Sequence, residues 1–338
     1  MNNRRIKVLH ITPMYPTEDN PVFGVFIKSQ IDSLKKYVDI DLLVLSGGNG
    51  ISPYLKDIPK ITSKIKQQPD LIHIHYGNAS TLVKLLHRSK IPIITSYCGD
   101  DLLGTLKTEK SYTLKSIVLK KINNFLSRLD TESIVKSDVL AQEIRGVAKK
   151  IHIIPNGVDT EKFNFVNKNE ARKVLKLQVS EDKKIILFPA DTKNPRKNFK
   201  LLSDALSKIN NKNYQVLTFE NRTVTPDLVP LYLNAADLVI STSFYEGSPN
   251  IIKEAMACNC SVFSTDCGDV KWLLDEVNGS KILSYSEEEW TKELEIFLTK
   301  NNDQTIVNAR EMLIKKELDI DSVAKKIIRI YDSITSKN

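Results

Sequence analysis

Two glutamates set eight positions apart, Glu246 and Glu254, bracket the segment of this chain with the clearest chemical potential, SFYEGSPNIIKEAM over 243–256. Gly247, Ser248, Pro249 and Asn250 lie between them, and Ile252, Ala255 and Met256 follow at helical spacing. A helix start exposes unpaired N–H groups and the positive end of a dipole, which suits a phosphate or a row of sugar hydroxyls. A carboxylate beside such a site is suited to accept hydrogen bonds from hydroxyls, not to bind the anion. Phosphate and polyhydroxyl together point to a nucleotide-sugar. Upstream, DTKNPRKNFKLLSDAL places Lys193, Arg196 and Lys197 just ahead of a helix marked by Leu201, Leu202, Ala205 and Leu206. A cation cluster at the carboxyl end of a parallel strand is where phosphorylated ligands bind. The plain alternative is an ordinary strand-turn-helix with Glu254 solvated and three loop charges.

These residues need strands and helices to hold them. Asp237–Thr242 reads as a buried strand feeding the Glu246 turn, with Ser248 as helix cap and Pro249 in the first turn. Further apolar runs, at Ile6–Ile11, Ile40–Leu45, Leu71–His75, Ile91–Ser96, Ile134–Ser137, Lys184–Ala190, Tyr214–Phe219 and Ser261–Thr265, alternate with helical patterns. That alternation predicts an α/β fold. Gly24 sits at a strand-loop-helix junction, either letting the backbone approach a ligand or serving as a turn residue. Residues 46–50 read as a loop, 51–68 as helix or part loop, 160–180 as polar helix and Val323–Ile334 as a tail helix.

The chain has 338 residues, natural for two domains, with 41% hydrophobic and 27% charged residues. No run approaches the length that spans a bilayer, and the first apolar run is too short for a secretory signal. Cys98, Cys258, Cys260 and Cys267 lack metal-ligand spacing and read as reduced thiols in a cytoplasmic protein. The glycosylation-type triplets at Asn78, Asn221 and Asn278 read as chance matches. His73 and His75 share one face of a strand with no acidic third ligand nearby, so a structural or cleft-lining role is expected. Asp100 and Asp101 form only an adjacent pair, and no metal is expected. No G-x-G-x-x-G or Walker A sequence is present. Residues 1–155 hold 23 Lys and Arg against 14 Asp and Glu, so the net charge of +8 belongs to the first half. A basic surface attracts an anionic membrane, a phosphorylated acceptor or nucleic acid; no nucleic-acid-binding motif is present, so nucleic acid is set aside. The densest basic run, 107–128, carries Leu114, Val118, Ile122, Phe125 and Leu129 at helical spacing. Its apolar stripe either packs on the core or faces a membrane.

EGSPNIIKEAMA resembles the donor-site signature of the family 4 retaining glycosyltransferases, which have the GT-B fold. IPNGVD over 154–159, with Phe163, resembles the segment that joins the two domains of that family. The resemblance implies two Rossmann-like domains facing a central cleft, the C-terminal one somewhat trimmed because little separates Phe219 from LYLNAADLVIST. It implies an acceptor domain over 1–155, a nucleotide-sugar domain over 156–320, and a tail, 321–338, crossing back to the first domain. It casts Glu246, Lys197 and Arg196 as catalytic. It casts Gly24, Lys193, Gly247, Ser248, Pro249, Asn250 and Glu254 as donor-binding, with Glu254 on the ribose. Lys197 matches the family lysine; the family arginine has no clear match, and Lys193 or Arg196 would replace it. Cys98, beside Tyr97, stands where the family has a sugar-contacting histidine; with His75 these two are placed in the sugar cleft.

The activity so implied is retaining, metal-independent transfer of a hexosyl group from a nucleotide-sugar to a glycan or lipid-linked acceptor, without cofactor, for a cell-surface polysaccharide. Its expected place is the cytoplasm, at the inner face of the membrane. A nucleotide-sugar epimerase of the same layout would need acid and base residues around the sugar, and none is identified. A non-catalytic carbohydrate-binding protein would not need Glu246, Lys197 and Glu254 together.

Overall fold

The computed structural model describes residues 4–46, 52–87, 89–108, 111–180, 183–220, 224–299 and 307–336. Residues 47–50 of the loop expected at 46–50 and the triplet at Asn221 lie outside these residues. The chain forms two compact units. The first comprises Met1–Thr105, Tyr112–Gly157 and Ile320–Asn338; the second comprises Leu106–Ser111 and Val158–Asp319.

The first unit holds strands β1 (Lys7–Thr12), β2 (Asp39–Val44), β3 (Leu71–His75), β4 (Ile93–Ser96), β5 (Glu132–Val135) and β6 (Ile151–Ile153). They pair in parallel in the order β2-β1-β3-β4-β5-β6. Parallel sheets are covered on both faces, so their strands read as apolar runs. Leu9, Ile11, Ile72 and Ile74 pack on one face; Val8, Leu71, Ile94 and Ile134 pack on the other, under the terminal helix Ile320–Thr335. The helix α1 (Val25–Leu34) opens at Gly24, whose φ is 75°. A Cβ there would stand 2.5 Å from the Met14 carbonyl, so close approach of its own loop requires the glycine.

Two further helices of this unit are α2 (Gly77–Leu86) and α3 (Leu114–Leu126). The apolar stripe of α3 does not pack on the core. Leu114 is 83% exposed and Phe125 51%, with Val118 and Leu129 also exposed. The buried face is instead Ser116, Asn123 and Leu126. Asn123 donates Nδ2–H to Asn78 Oδ1 (2.7 Å) and to the Asp101 carbonyl (2.8 Å), which accounts for a polar residue facing inward.

The second unit holds β7 (Lys184–Phe188), β8 (Tyr214–Thr218), β9 (Leu238–Ser241), β10 (Val262–Thr265) and β11 (Lys281–Leu283). All pair in parallel, in the order β8-β7-β9-β10-β11. Of the polar stretch 160–180 only Lys168–Val174 is α-helix. Helix α4 (Phe199–Lys208) follows β7, and α5 (Asn250–Ala257) follows β9. Both begin at the carboxyl ends of their strands, so the basic loop and the Glu246 turn emerge side by side. Among the described residues no helix is long and apolar enough to cross a membrane.

Candidate active site

The carboxyl end of β9 continues through Thr242 into the Glu246 turn. Thr242 Oγ1 donates to the Lys197 and Asn198 carbonyls, each at 2.8 Å, and Phe244 N–H donates to the Arg196 carbonyl at 2.9 Å. The basic loop is thereby tied to the turn through its backbone. The Asn194 side chain accepts from Arg196 N–H, and Asn198, at φ 51°, swings the chain into α4. Arg196 and Lys197 then face Glu246. Arg196 Nη1 donates to Oε2 at 2.5 Å and Lys197 Nζ to Oε1 at 2.6 Å, and Ser243 Oγ adds a third bond at 3.1 Å. A carboxylate offers about four acceptor positions, so one remains for a ligand hydroxyl.

Burial alone would raise the Glu246 pKa; Lys197 and Arg196 outweigh it and hold the carboxyl below its ordinary value. The group carries two cations and one anion, and the cationic side chains keep 25% and 21% of their surface. Two partly exposed cations at a strand end can take a phosphate. Lys193 is exposed, so Arg196 is the second cation that faces Glu246.

A second turn braces the first. Gly268, at φ 64°, lies so close that a Cβ would stand 2.7 Å from the Gly247 carbonyl oxygen. Thr265 Oγ1 donates to the Ser243 carbonyl at 2.7 Å. The cap of α5 is Pro249, not Ser248, and Asn250 is the first helical residue. Ser248 Oγ is occupied otherwise, accepting from the buried Lys253 Nζ at 3.0 Å. Burial pushes nearby Asp269 up to about 6, against the opposing pull of Lys253. Neither Lys253 nor Asp269 stands out in the sequence, since a lysine on a helix ordinarily faces solvent. Glu254 is half-buried. Burial pushes its carboxyl up to about 7, and Lys253 and Lys162 only partly offset that.

The residues expected in a sugar cleft belong to the first unit and differ among themselves. Tyr97 is a core residue, fully buried, donating its hydroxyl to Asp130 at 3.0 Å; it offers a sugar no surface. Its neighbour Cys98 is half-buried, with a thiol that burial pushes up to about 12. His75 is buried, its Nε2 lying 2.9 Å from His10 Nδ1. Gly24 belongs to the same unit.

Residues 2–162 match the family model described as Glycosyltransferase Family 4, and residues 215–300 match Glycosyl transferases group 1. Both halves of the chain thus match glycosyltransferase models, the first half that of family 4, which supports a family 4 glycosyltransferase. A curated relative in Bacillus subtilis, TuaC, named as a teichuronic acid biosynthesis glycosyltransferase, is 24% identical over an alignment of 339 positions, covering 79% of this chain and 83% of its own. Among solved structures, sucrose-phosphate synthase from Thermosynechococcus elongatus superposes with TM-score 0.74 at 15% identity, covering 99% of this chain and 100% of that one. HepE from Anabaena, solved with UDP-glucose, superposes with TM-score 0.70 at 15% identity, covering 97% and 100%. The fold of the transferase is therefore GT-B.

Proposed function

We propose that this transferase moves a hexosyl group from a nucleotide-sugar to a glycan or lipid-linked acceptor, with retention and without metal or other cofactor, in the synthesis of a cell-surface polysaccharide. The observation that carries the reading is the convergence of Arg196 and Lys197 on Glu246 at the start of α5. The two cations would take the diphosphate and stabilise the charge that grows on it as the glycosidic bond breaks; preorganised charges of this kind supply a large share of catalysis. Glu246, already fixed by three donors, would spend its remaining acceptor position on a sugar hydroxyl, alongside the backbone of residues 247–250. Glu254 would hold the ribose hydroxyls. The departing phosphate would take the proton of the acceptor hydroxyl on the same face, so no protein base is required.

The acceptor is assigned to the first unit, working in the cytoplasm at the inner face of the membrane. Supporting that placement, α3 turns Leu114, Val118 and Phe125 outward among exposed Lys115, Lys121 and Arg128, a pairing suited to an anionic lipid surface. HepE's complex with UDP-glucose makes a uridine nucleotide the first donor to try. The test compares thermal stabilisation by UDP, GDP and ADP on wild type and Glu254→Ala. One nucleotide should raise the wild-type melting temperature, and raise that of the variant less. No shift from any of the three would remove the donor assignment.

A further inference from the structure

Four lysines are buried among the described residues: Lys84, Lys136, Lys184 and Lys253. Three have an acceptor. Lys84 Nζ lies 2.8 Å from Asp130, Lys184 Nζ donates to the Phe297 carbonyl at 2.6 Å, and Lys253 Nζ donates to Ser248 Oγ. Lys136 is 2% exposed and makes no hydrogen bond or ion pair with a described residue. Burial lowers the Lys136 pKa because an unpaired buried ammonium costs several kcal/mol, and an anion beside it would offset that cost.

The strand register shows where that place is. Ser96 pairs with Ile134, and Tyr97 N–H donates to the Ile134 carbonyl at 2.8 Å, which sets Cys98 beside Lys136 just past the ends of β4 and β5. Side chains alternate along a strand, so Lys136 shares the face of Ile134, the face under the terminal helix. His10, His73 and His75 lie on that face too; His73 Nδ1 is 2.5 Å from the Tyr331 hydroxyl and its Nε2 2.8 Å from Ser96 Oγ. A polar row thus crosses β1, β3, β4 and β5 at their carboxyl ends, where ligands of parallel sheets bind. Lys136 acts electrostatically on His73, His75 and Cys98, and burial keeps both imidazoles neutral.

The three imidazoles are close enough to share a metal, with ligand atoms within 4.8 Å of one another. Yet both His73 nitrogens are taken and a lysine ammonium stands nearby, so the row suits an anion better than a cation. Asp101 attracts Lys136 electrostatically but makes no hydrogen bond or ion pair with it. Its carboxylate already accepts from the Gly77, Cys98 and Gly99 N–H groups at 2.7, 3.1 and 2.8 Å.

We propose that Lys136 is an anion-recognising residue of the first unit, taking a carboxylate or phosphate carried by the ligand bound at that strand end. The identification of that ligand as the acceptor rests on the function proposed above; the anion site does not. The test uses the full chain and its Lys136→Met variant, with glucuronate, inorganic phosphate, neutral glucose and UDP as probes. Glucuronate or phosphate should raise the wild-type melting temperature saturably and glucose should not; a shift from glucuronate alone assigns a sugar acid, one from phosphate alone a phosphorylated ligand. The variant should lose that shift, keep its response to UDP, and melt no lower than wild type without ligand, because it sheds an unpaired buried charge. A shift that persists in the variant, no shift in wild type, or a variant that melts several degrees lower would each overturn the assignment. Absence of a UDP response in both proteins would count against the donor site alone.

Discussion

Two buried carboxylates of this transferase meet cations in opposite ways. Asp130, in the first unit, faces one cation: Lys84 Nζ at 2.8 Å, with both side chains sealed from solvent. Its remaining positions are filled by Thr95 Oγ1 at 2.6 Å, Tyr97 OH at 3.0 Å and Ser133 Oγ at 3.1 Å. Charge is balanced and every partner comes from the protein. Glu246, in the second unit, faces two cations that remain open to water. Both cations keep surface that a ligand can reach. The first cluster is complete without a ligand and ties α2 to β4 and β5. The second keeps two partly exposed cations that a phosphate can reach. A buried ion pair alone is weak evidence of function; the accessibility of its cations separates the two.

The contrast is broken most directly at Asp130. Asp130→Ala strands Lys84 in the core and should cost about 3–5 kcal/mol of stability. Urea unfolding reads that loss, and turnover per folded molecule should stay near wild type. Lys197→Ala should do the reverse. Removing one preorganised donor typically costs about 10²–10³ in turnover, while the melting temperature should hold because the site keeps Arg196. An inactive but stable Asp130→Ala, or a destabilised but fully active Lys197→Ala, would reverse the assignment of structural and functional roles.

Much of the second cluster was legible in the sequence because its parts are local. The run EGSPNIIKEAM gives strand end, turn and helix within a dozen residues or so, and the basic loop stands just before an amphipathic helix. What the sequence left open was direction. Lys193, Arg196 and Lys197 are equivalent as text; only the backbone bonds from Thr242 and Phe244 show that the last two turn back on Glu246. Ser248 reads as a cap by residue type, but Lys253 claims its hydroxyl. The row of His10, His73, His75 and Lys136 was harder still, since parallel pairing joins strands far apart in the chain. Spacing marks the stripe on α3 without saying which way it faces, and hydrogen bonds from Asn123 decide that.

That stripe gives a weaker handle on the same contrast, because it too is exposed surface. Leu114→Ser with Phe125→Ser removes two exposed apolar side chains worth roughly 1 kcal/mol each on immersion. Partitioning onto vesicles with anionic lipid should fall about thirtyfold, and the melting temperature should hardly move. Unchanged partitioning would withdraw the membrane placement.

Glu254 refines the comparison further, because it combines burial with a role toward ligand. Its folded pKa of about 7 lies above the ordinary 4.5, so the folded state keeps a proton that the unfolded chain releases across that window. Ligand-free stability from this group therefore declines as pH rises from about 4.5 to 7. Nucleotide binding should move oppositely. The ionised carboxylate is the better acceptor for ribose hydroxyls, so affinity should climb through pH 7, by about tenfold at most between pH 6 and 8. Glu254→Gln keeps the shape and removes the titration, and should flatten both trends. Calorimetry at three pH values separates the cases. If the nucleotide binds wild type and Glu254→Gln with the same pH profile, Glu254 is a buried acid of the fold and not a ligand of the ribose.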